Sequence, residues 1–327
     1  MSPPAFVGSF DMRDLQTDWT YRPSPIAPRV HLKRLKSWVT GRQAPPSFQV
    51  VLPLVSATRW NALFLFAPAG ELDRDQYQML ERVRALNGSM LVVLASPDAN
   101  TPAAAAVMNC ADALIIKGLN GFDFSAYRIA LEEIARHSPG AIAYVQNDSV
   151  FGPLCDLDSL ISSAPWDLTG FIGMRAVENH ISSFAFILRD VTPARVAALQ
   201  PVLSPSWSCD RFEDVILLQE TCLARIASRS MSVGAYWYVP THPPSRPLLA
   251  SIGRKVMRLP PPADITGDAT IASPMGLLDA GFPYLKRSLF TKFAGLHNPA
   301  HLIGALELRG WQTANIQRLT GFSSGSR

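Results

Sequence analysis

Residues 141–154 read Ala-Ile-Ala-Tyr-Val-Gln-Asn-Asp-Ser-Val-Phe-Gly-Pro-Leu. The apolar run Ala141–Val145 is typical of a buried strand, and the strand is expected to end at the polar Asn-Asp-Ser triplet of residues 147–149. Open α/β sheets bind ligands just beyond the carboxyl ends of their strands. Asp148 is therefore a candidate ligand for a hard divalent cation, Mg²⁺ or Mn²⁺, that carries phosphates. A plain Asx-type turn after a strand explains the same triplet.

Strands alternate with helices around this stretch. Apolar runs of strand length lie at Phe48–Val55, Ala62–Ala67, Ser89–Ala95 and Ala113–Ile116. Helical patterns between them begin near Asp73, Thr101 and Phe124. The alternation over residues 48–150 predicts a mostly parallel sheet with helices on both faces. Further along, the pattern predicts strands at Ser183–Leu188 and Val233–Val239, with a long helix over 210–228 between them. An interrupted helix is predicted at Leu277–Phe293.

Composition divides the chain of 327 residues into four predicted parts. Residues 1–45 are expected to form a Pro-rich arm that is irregular apart from one basic helix. Residues 46–240 form the main domain, and residues 241–321 form an extension that packs on it, with a loop over 240–262. Residues 322–327 are a Gly/Ser tail that we expect to be disordered.

The composition is that of a folded cytoplasmic protein. Hydrophobic residues make up 48% and charged residues 17% of the chain, which is ordinary for a globular domain. The first 20 residues lack the apolar core of a signal peptide, and no apolar run is long enough to span a bilayer. The cysteines show no metal-binding spacing and are expected to be reduced thiols at Cys110, Cys155, Cys209 and Cys222.

Positive charge is concentrated near the N-terminus, although the net charge is only +4. The basic residues of this segment are Arg29, Lys33, Arg34, Lys36 and Arg42. Apolar residues recur among them at helical spacing, at Leu32, Leu35, Trp38 and Val39. A basic amphipathic helix of this kind can lie on an anionic membrane surface, such as the cytoplasmic face of the inner membrane. The alternative is a solvated helix packed on the domain. Nucleic acid is not an expected partner, because stacking aromatics and known motifs are missing.

Several other polar residues have both a functional and a structural explanation. Asp123 lies in a Gly-containing loop after a strand and is suited to a ligand or to capping a helix. His180 precedes a strand and is either a ligand or a hydrogen-bonded structural residue. Asp214 suits the positive end of a helix dipole as well as a site. Lys286 and Arg287 follow a Pro-Tyr-Leu turn and either meet a diphosphate or face water.

In their order along the chain, these segments resemble the rhamnan synthesis F family of bacterial polysaccharide glycosyltransferases. Residues 147–154 match the Asn-Asp-Ser-Val-Phe-Gly-Pro-Leu motif of that family at every position. Further matches are Gly121, Phe122, Asp123, Asp167, Gly170, His180, Ser183, Glu220, Pro283, Tyr284, Lys286 and Arg287. The departures are Lys117, Leu119, Thr169 and Ser182, and they leave the donor sugar open. The resemblance spans roughly residues 59–240 and 268–295.

The resemblance implies a fold and an activity. The fold is α/β and GT-A-like (Rossmann-like), a mostly parallel sheet flanked by helices with a helical C-terminal part. The activity is transfer of a sugar, rhamnose or similar, from a nucleotide-diphosphate sugar to a glycan or lipid-linked glycan of a cell-surface polysaccharide or lipopolysaccharide. Two alternatives stay open: an inactive GT-A-like scaffold in polysaccharide assembly, and a metal-dependent nucleotide-diphosphate hydrolase, which needs several carboxylates around its metal.

The resemblance also implies roles for residues on the donor side of the site. Asp148 would bind the divalent cation that bridges the diphosphate, with Asn147 and Ser149 orienting it. Asp123 and Lys117 would hold the nucleotide or its ribose. A carboxylate at position 148 that was sealed in the interior would argue against this scheme.

The remaining roles concern the leaving group and the acceptor. The Lys-Arg pair at 286–287 would supply positive charge to the leaving diphosphate. His180 and Ser183 would line the acceptor or sugar pocket. Glu220 is the first candidate for the base that activates the acceptor hydroxyl, and Asp214 is the second.

Overall fold

The computed structural model describes residues 12–175, 177–240 and 268–316. Of the loop expected over 240–262, only residue 240 is among these residues. The tail expected over 322–327 lies wholly outside them. The described strands are β1 (Gln16–Thr20), β2 (Arg42–Gln43), β3 (Phe48–Leu52), β4 (Arg59–Phe66), β5 (Ser89–Ala95), β6 (Ala113–Lys117), β7 (Ala141–Asn147), β8 (Val150–Phe151), β9 (Leu168–Arg175), β10 (Asn179–Ile181), β11 (Ala185–Val191), β12 (Ser208–Cys209), β13 (Val233–Val239) and β14 (Leu285–Lys286).

The described α-helices are α1 (Pro28–Thr40), α2 (Arg74–Arg84), α3 (Pro102–Met108), α4 (Phe122–His137), α5 (Asp158–Ser162), α6 (Pro193–Ala198), α7 (Phe212–Val215), α8 (Thr221–Ala227), α9 (Ala269–Ala272), α10 (Pro274–Asp279) and α11 (Pro299–Glu307). A π-helical segment, Ile216–Glu220, joins α7 to α8. Short 3-10 helices lie at Met12–Asp14 and Arg287–Phe290.

One ten-stranded sheet organises the described part of the chain. Its strand order is β1-β13-β9-β11-β7-β4-β5-β6-β3, with β10 paired to β9. The neighbours β7, β4, β5 and β6 are parallel, and so are β13 and β9. The other pairings in the sheet are antiparallel, so that six of the ten strands run in one direction.

The order of the strands reverses between β4 and β7. From β4 the chain continues to β5 and β6 on one side, and it then crosses back to add β7 on the other side. The predicted class is confirmed: an α/β, GT-A-like (Rossmann-like) sheet flanked by helices, with helical segments after residue 268. In sheets of this kind the crevice at the reversal, beyond the carboxyl ends of the strands, is where ligands bind.

Both faces of the central sheet are buried. In β4 the side chains of Trp60, Ala62 and Phe64 join the core under α4, while Leu63 and Leu65 join the core under α2 and α3. Successive side chains of a strand point to opposite faces, so a strand covered on both sides must be apolar nearly throughout. This requirement explains why the central strands were visible as continuous apolar runs.

The structure differs from the sequence predictions at several places, and two of them involve strands that pair with distant parts of the chain. Gln16–Thr20 forms an edge strand on β13, although the N-terminal arm was expected to be irregular there. Its Trp19 stacks on Tyr238 at 4.3 Å and packs over Gly173, which has no side chain to obstruct the ring. The helix expected over Leu277–Phe293 ends at Asp279, and β14 pairs with β8 instead. The proposed domain boundaries stay a prediction.

We expect the Gly234→Ala variant to lower the free energy of unfolding by about 1–3 kcal/mol, because overpacking forces neighbours to move. A Cβ at Gly234 would lie 2.3 Å from the Trp166 ring and 2.6 Å from the Trp19 carbonyl oxygen. The matched control is Gly304→Ala in α11, where nothing lies within 4 Å. The control should gain about 0.5–1 kcal/mol, since Ala is favoured over Gly in a helix. Urea unfolding measures both; equal effects in the two variants would contradict the prediction.

Candidate active site

The carboxylate of Asp148 lies between the ends of β4 and β7, where the strand order reverses. Its Oδ2 accepts the backbone N–H of Phe66 at 2.9 Å and the side-chain amide of Gln76 at 2.7 Å. Gln76 also donates to the Phe66 carbonyl at 3.0 Å and completes the capping box of α2 with Asp73. Asp148 thus ties the ends of two central strands to the start of a helix at the point where the strand order reverses.

The carboxylate of Asp148 is neither sealed nor free. The residue is half-buried, and burial raises the pKa of its carboxyl group, with the charge of Asp73 adding to the shift. Hydrogen bonds from Phe66 and Gln76 and the charge of Arg287 oppose the shift. Both hydrogen bonds go to Oδ2, and within the described residues Oδ1 receives none. A metal-binding role for Asp148 stays a prediction.

Arg287 reaches the 147–149 turn from the C-terminal part of the chain. Its backbone N–H donates to the Ser149 carbonyl at 3.0 Å, and its Nη1 lies 3.5 Å from the carbonyl oxygen of Asp148. The guanidinium also pairs with Asp73, the residue that caps α2. The β8 and β14 pairing makes this approach possible, because it places residues 285–286 beside residues 150–151.

Lys286 lies next to Arg287 and also faces this end of the sheet. Its Nζ lies 4.4 Å from the centroid of the Phe184 ring. No described acidic residue pairs with it. Arg287 therefore contacts the Asn-Asp-Ser turn, whereas the diphosphate-binding role of Lys286 and Arg287 stays a prediction.

A second group of polar residues begins on the other side of the turn. Asp123 Oδ2 accepts the side-chain amide of Asn147 at 2.8 Å, and the Tyr127 hydroxyl lies 3.3 Å from the same oxygen. The Tyr127 hydroxyl also lies 2.9 Å from the carbonyl oxygen of Ser183, to which it donates. Asn147 in turn accepts from the backbone N–H and the hydroxyl of Ser149, at 3.0 and 2.6 Å.

Glu220 completes this group. Its Oε1 accepts the backbone N–H and the hydroxyl of Ser183, both at 3.1 Å. We call the set of Asp123, Tyr127, Asn147, Ser149, Ser183 and Glu220 the Asp123–Glu220 cluster. Five of its six members were predicted as site residues from the sequence. Tyr127 was not predicted, because it lies among the apolar residues of the buried face of α4, and this spacing gives no sign of a role for its hydroxyl.

The chain around Asp123 needs glycine at position 121. Gly121 caps α4 with a φ of +84°, a conformation that glycine adopts without strain, and a Cβ there would lie 2.8 Å from the hydroxyl of Ser125. The Gly121 N–H donates to Asp210 at 2.6 Å. Because Gly121 holds the capping position, the N-cap alternative for Asp123 is wrong. Asp210 was missed, since it lies in a loop with no local signal.

Burial controls the charges of this site. Burial raises the pKa of Asp123 to about 6, and the nearby charge of Glu220 adds to the rise, while the hydrogen bond from Asn147 opposes it. At the end of β6, burial lowers the pKa of Lys117 to about 8, opposed by the charges of Asp123 and Asp210. The Lys117 ammonium donates to the carbonyl of Asn120 at 2.8 Å. A buried cation therefore faces the acidic cluster.

Glu220 is the last residue of the π-helical segment. A π-helix adds a residue to the turn and leaves a backbone carbonyl without its usual partner, and such segments are frequent at functional sites. Here Arg34 of α1 supplies donors, from Nε to the Leu217 carbonyl and from Nη2 to the Thr221 hydroxyl, both at 2.9 Å. The side chain that directs this segment thus comes from 183 residues away in the sequence.

The predicted site residues His180 and Asp214 are not joined to the Asp123–Glu220 cluster. His180 is buried, and its Nδ1 lies 2.9 Å from the carbonyl oxygen of Glu178. Asp214 is buried against Gly41, and its Oδ2 lies 3.5 Å from Nε of Arg211. Among residues 12–175, 177–240 and 268–316, no hydrogen bond connects either side chain to the cluster. Their proposed roles stay predictions.

The described parts of the chain contain no group of three or more His, Cys, Asp or Glu placed to hold a metal ion. The four cysteines are free thiols. Across the same residues, each helix is too short or too polar to cross a bilayer.

No family model matches this sequence, and no curated protein matches it. The resemblance to the rhamnan synthesis F family therefore stays a prediction.

Solved structures similar to this chain include the mannosyltransferase PcManGT from Pyrobaculum calidifontis in complex with GDP-Man and Mn²⁺, at 13% identity over 90% of this chain and 91% of that chain, with a TM-score of 0.37. S. aureus TarS 1–349 is similar at 13% identity over 80% and 82%, with a TM-score of 0.32. A 4-diphosphocytidyl-2C-methyl-D-erythritol synthase from Anaerococcus prevotii is similar at 8% identity over 62% and 96%, with a TM-score of 0.36. Similarities at this level assign no activity to this chain.

We expect the Asp148→Ala variant to lower the free energy of unfolding by about 1–2 kcal/mol, because Phe66 and Gln76 lose a charged acceptor. In Asp148→Asn the side-chain carbonyl still accepts, and the cost of burying a charge disappears, so this variant should stay close to the parent. Exposed Asp279→Ala is the control and should change stability by less than about 0.5 kcal/mol. The midpoint of urea unfolding measures the stability of each variant. An Asp148→Ala variant as stable as the control would contradict the bridging role of Asp148.

We expect the Glu220→Gln variant to lower the pKa of Asp123 from about 6 toward its usual range, because the second cause of the rise is the charge of Glu220. The fall should be partial, since burial is the first cause. Carbon-detected NMR titration of the Asp123 carboxyl measures it.

Exposed Glu213→Gln on α7 is the control for that titration and should leave the Asp123 pKa unchanged. The raised pKa of Asp123 also makes the stability of the folded protein depend on pH. The folded protein binds the Asp123 proton more tightly than the unfolded chain, so the contribution of Asp123 to stability falls as the pH rises from about 4 to about 6. An unchanged Asp123 pKa in Glu220→Gln would contradict the electrostatic coupling.

Proposed function

We propose that this protein is a glycosyltransferase that uses a nucleotide-diphosphate sugar as donor. The observation that supports this most is the convergence of two kinds of group on the 147–149 turn. Carboxylate and other hydrogen-bonding groups come from the Asp123–Glu220 cluster through Asn147, and positive charge comes from Arg287 and the adjacent Lys286. The turn lies at the reversal of strand order, where nucleotides bind in sheets of this kind.

Sugar transfer makes two chemical demands on a site. The diphosphate that leaves must have its negative charge stabilised, and the acceptor hydroxyl must lose a proton to a base. Arg287 contacts the turn directly, and Glu220 is connected to it through Ser183, Tyr127, Asp123 and Asn147. Groups for stabilising the leaving diphosphate and for removing the acceptor proton are therefore both connected to this turn.

Lys286 and Arg287 would act on the donor diphosphate. Arg287 is oriented by Asp73 and by the carbonyl of Asp148, so its guanidinium is held beside the turn before a ligand arrives. Lys286 has no described acidic partner to displace. A donor diphosphate beside Oδ1 of Asp148 would be within the field of both cations.

Glu220 is suited to act as the base. The two hydrogen bonds from Ser183 fix Oε1, and within the described residues Oε2 accepts none, which leaves it to take the proton of the acceptor hydroxyl. Asp123 keeps a raised pKa and is hydrogen-bonded by Asn147, so it suits a binding role for the nucleotide or its ribose.

A divalent cation fits this site in part. Asp148 offers one oxygen, and Mg²⁺ or Mn²⁺ would take its remaining ligands from the diphosphate and water. A hydrolase that works with a metal needs more carboxylates around the ion, whereas the nearby Asp73 is already paired with Arg287. This observation favours transfer over hydrolysis. The resemblance supports rhamnose or a similar sugar, and a cell-surface polysaccharide or lipopolysaccharide glycan as acceptor.

The test compares the parent protein with Glu220→Gln. Nucleotide-diphosphate sugars, rhamnose donors included, are screened by thermal shift with and without Mg²⁺ or Mn²⁺, because a ligand of the folded state raises the melting temperature. The best donor should raise it equally in both proteins, since Gln keeps the bonds to Ser183. Turnover of that donor should fall about 100-fold or more in Glu220→Gln.

Exposed Glu213→Gln is the control and should keep its turnover. A loss of turnover in Asp214→Asn with Glu220→Gln unaffected would move the base to Asp214. Absence of a thermal shift with every donor would favour the inactive scaffold and would overturn the proposal.

A further inference from the structure

Helix α1 presents its apolar side to the outside of the protein. Leu32, Leu35 and Val39 are 69%, 61% and 66% exposed, and Trp38 beside them is 50% exposed. At 100° per residue, the first three share one direction and form a ridge along the helix. A surface helix of a globular protein ordinarily turns its apolar stripe toward the core. In α1 the amphipathic pattern is therefore inverted.

The inner side of α1 is polar or small and is firmly held. Val30, Arg34 and Ser37 are its least exposed residues, and they lie opposite the apolar ridge. Arg34 hydrogen-bonds the Leu217 carbonyl and the Thr221 hydroxyl and forms an ion pair with the buried carboxylate of Glu178. These bonds fix the rotation of the helix. The outward direction of the ridge is thus set by long-range polar contacts and is not a matter of local preference.

Positive charge surrounds the ridge. Arg29, Lys33 and Lys36 are exposed along one flank, and the Arg42 guanidinium lies 3.6 Å from the centroid of the Trp38 ring on the other. Residues 19–70 contain no Asp or Glu at all. No acidic group of this stretch neutralises the flanks of the ridge, so a partner of negative charge is favoured.

We propose that α1 docks this protein on the surface of an anionic membrane. The ridge of Leu32, Leu35 and Val39 would enter the boundary between headgroups and acyl chains, and Lys33 and Lys36 would meet lipid phosphates. Exposed apolar residues rimmed by Lys and Arg, with a Trp at the edge, are typical of helices that lie in this interface. A fluid anionic surface accepts a single ridge without a complementary groove, which favours it over a protein partner.

The docked helix would lie close to the candidate active site. Through Arg34, α1 is bonded to the π-helical segment that carries Glu220. If the proposed function holds, a lipid-linked acceptor would meet the base from the membrane side. Docking itself goes beyond that function and does not depend on it, since it rests on α1 alone.

The test is flotation of the full chain with lipid vesicles. Vesicles of phosphatidylcholine alone are compared with vesicles containing about one third phosphatidylglycerol. The ridge variant is Leu32→Ser/Leu35→Ser/Val39→Ser, and the charge variant is Lys33→Gln/Lys36→Gln. The matched control replaces exposed apolar residues elsewhere, Val55→Ser/Leu308→Ser, at 75% and 87% exposure in the parent.

The parent and the control should bind the anionic vesicles and bind the neutral ones at least about tenfold less. The ridge and charge variants should each lose about tenfold or more in partitioning, and binding of the parent should weaken as salt is raised. Melting temperatures should be unchanged, because every replaced side chain is exposed. Donor binding and turnover with a water-soluble acceptor should also persist in the ridge variant, which separates this result from a failure of the proposed function.

Two results would overturn the docking proposal. The first is a ridge variant that binds anionic vesicles as well as the parent. The second is a parent protein that does not bind vesicles and sediments as a dimer, while the ridge variant sediments as a monomer. The ridge would then be covered by a second copy of the chain.

Discussion

The candidate site depends on one carboxylate oxygen, Oδ2 of Asp148, and its two donors. The Phe66 N–H belongs to the end of β4, and the Gln76 amide belongs to the first turn of α2, so a single acceptor holds a strand end and a helix start against the end of β7. Loss of these donors would be unfavourable for this half-buried carboxylate, because they and the charge of Arg287 offset its desolvation. The hydrogen bonds to Asp148 therefore fix the positions of Phe66 and Gln76 relative to the end of β7.

From that bridge outward, the site separates charge into two sides. Arg287 and Lys286 approach from β14, whereas Asp123 and Glu220 converge from α4 and the π-helical segment. The buried ammonium of Lys117 keeps a lowered pKa of about 8 because burial outweighs the attraction of Asp123 and Asp210. Such opposed shifts are common where proteins prepare groups for chemistry, which is consistent with a site for a charged donor and a proton transfer.

Much of the sheet could be predicted because its signals are local. β5 and β13 have the bounds that their apolar runs indicate, and α2 begins after the capping residue Asp73. Five members of the Asp123–Glu220 cluster were also named in advance. Asp210 and the hydroxyl role of Tyr127 were not, because neither leaves a pattern in neighbouring residues. The position at which a strand ends is visible in the local sequence. The distant residues that contact that end are not.

The sequence by itself determined the alternation of strands and helices, the polar turn at 147–149 and the concentration of positive charge in α1, since each depends on spacing within a few residues. Only the tertiary structure decided how these parts face one another. The addition of β1 to β13 required the space left by Gly173, and the direction of the α1 ridge depends on the contacts that Arg34 makes with the π-helical segment and Thr221. These outcomes come from contacts between residues far apart in the chain, which periodicity and composition do not encode.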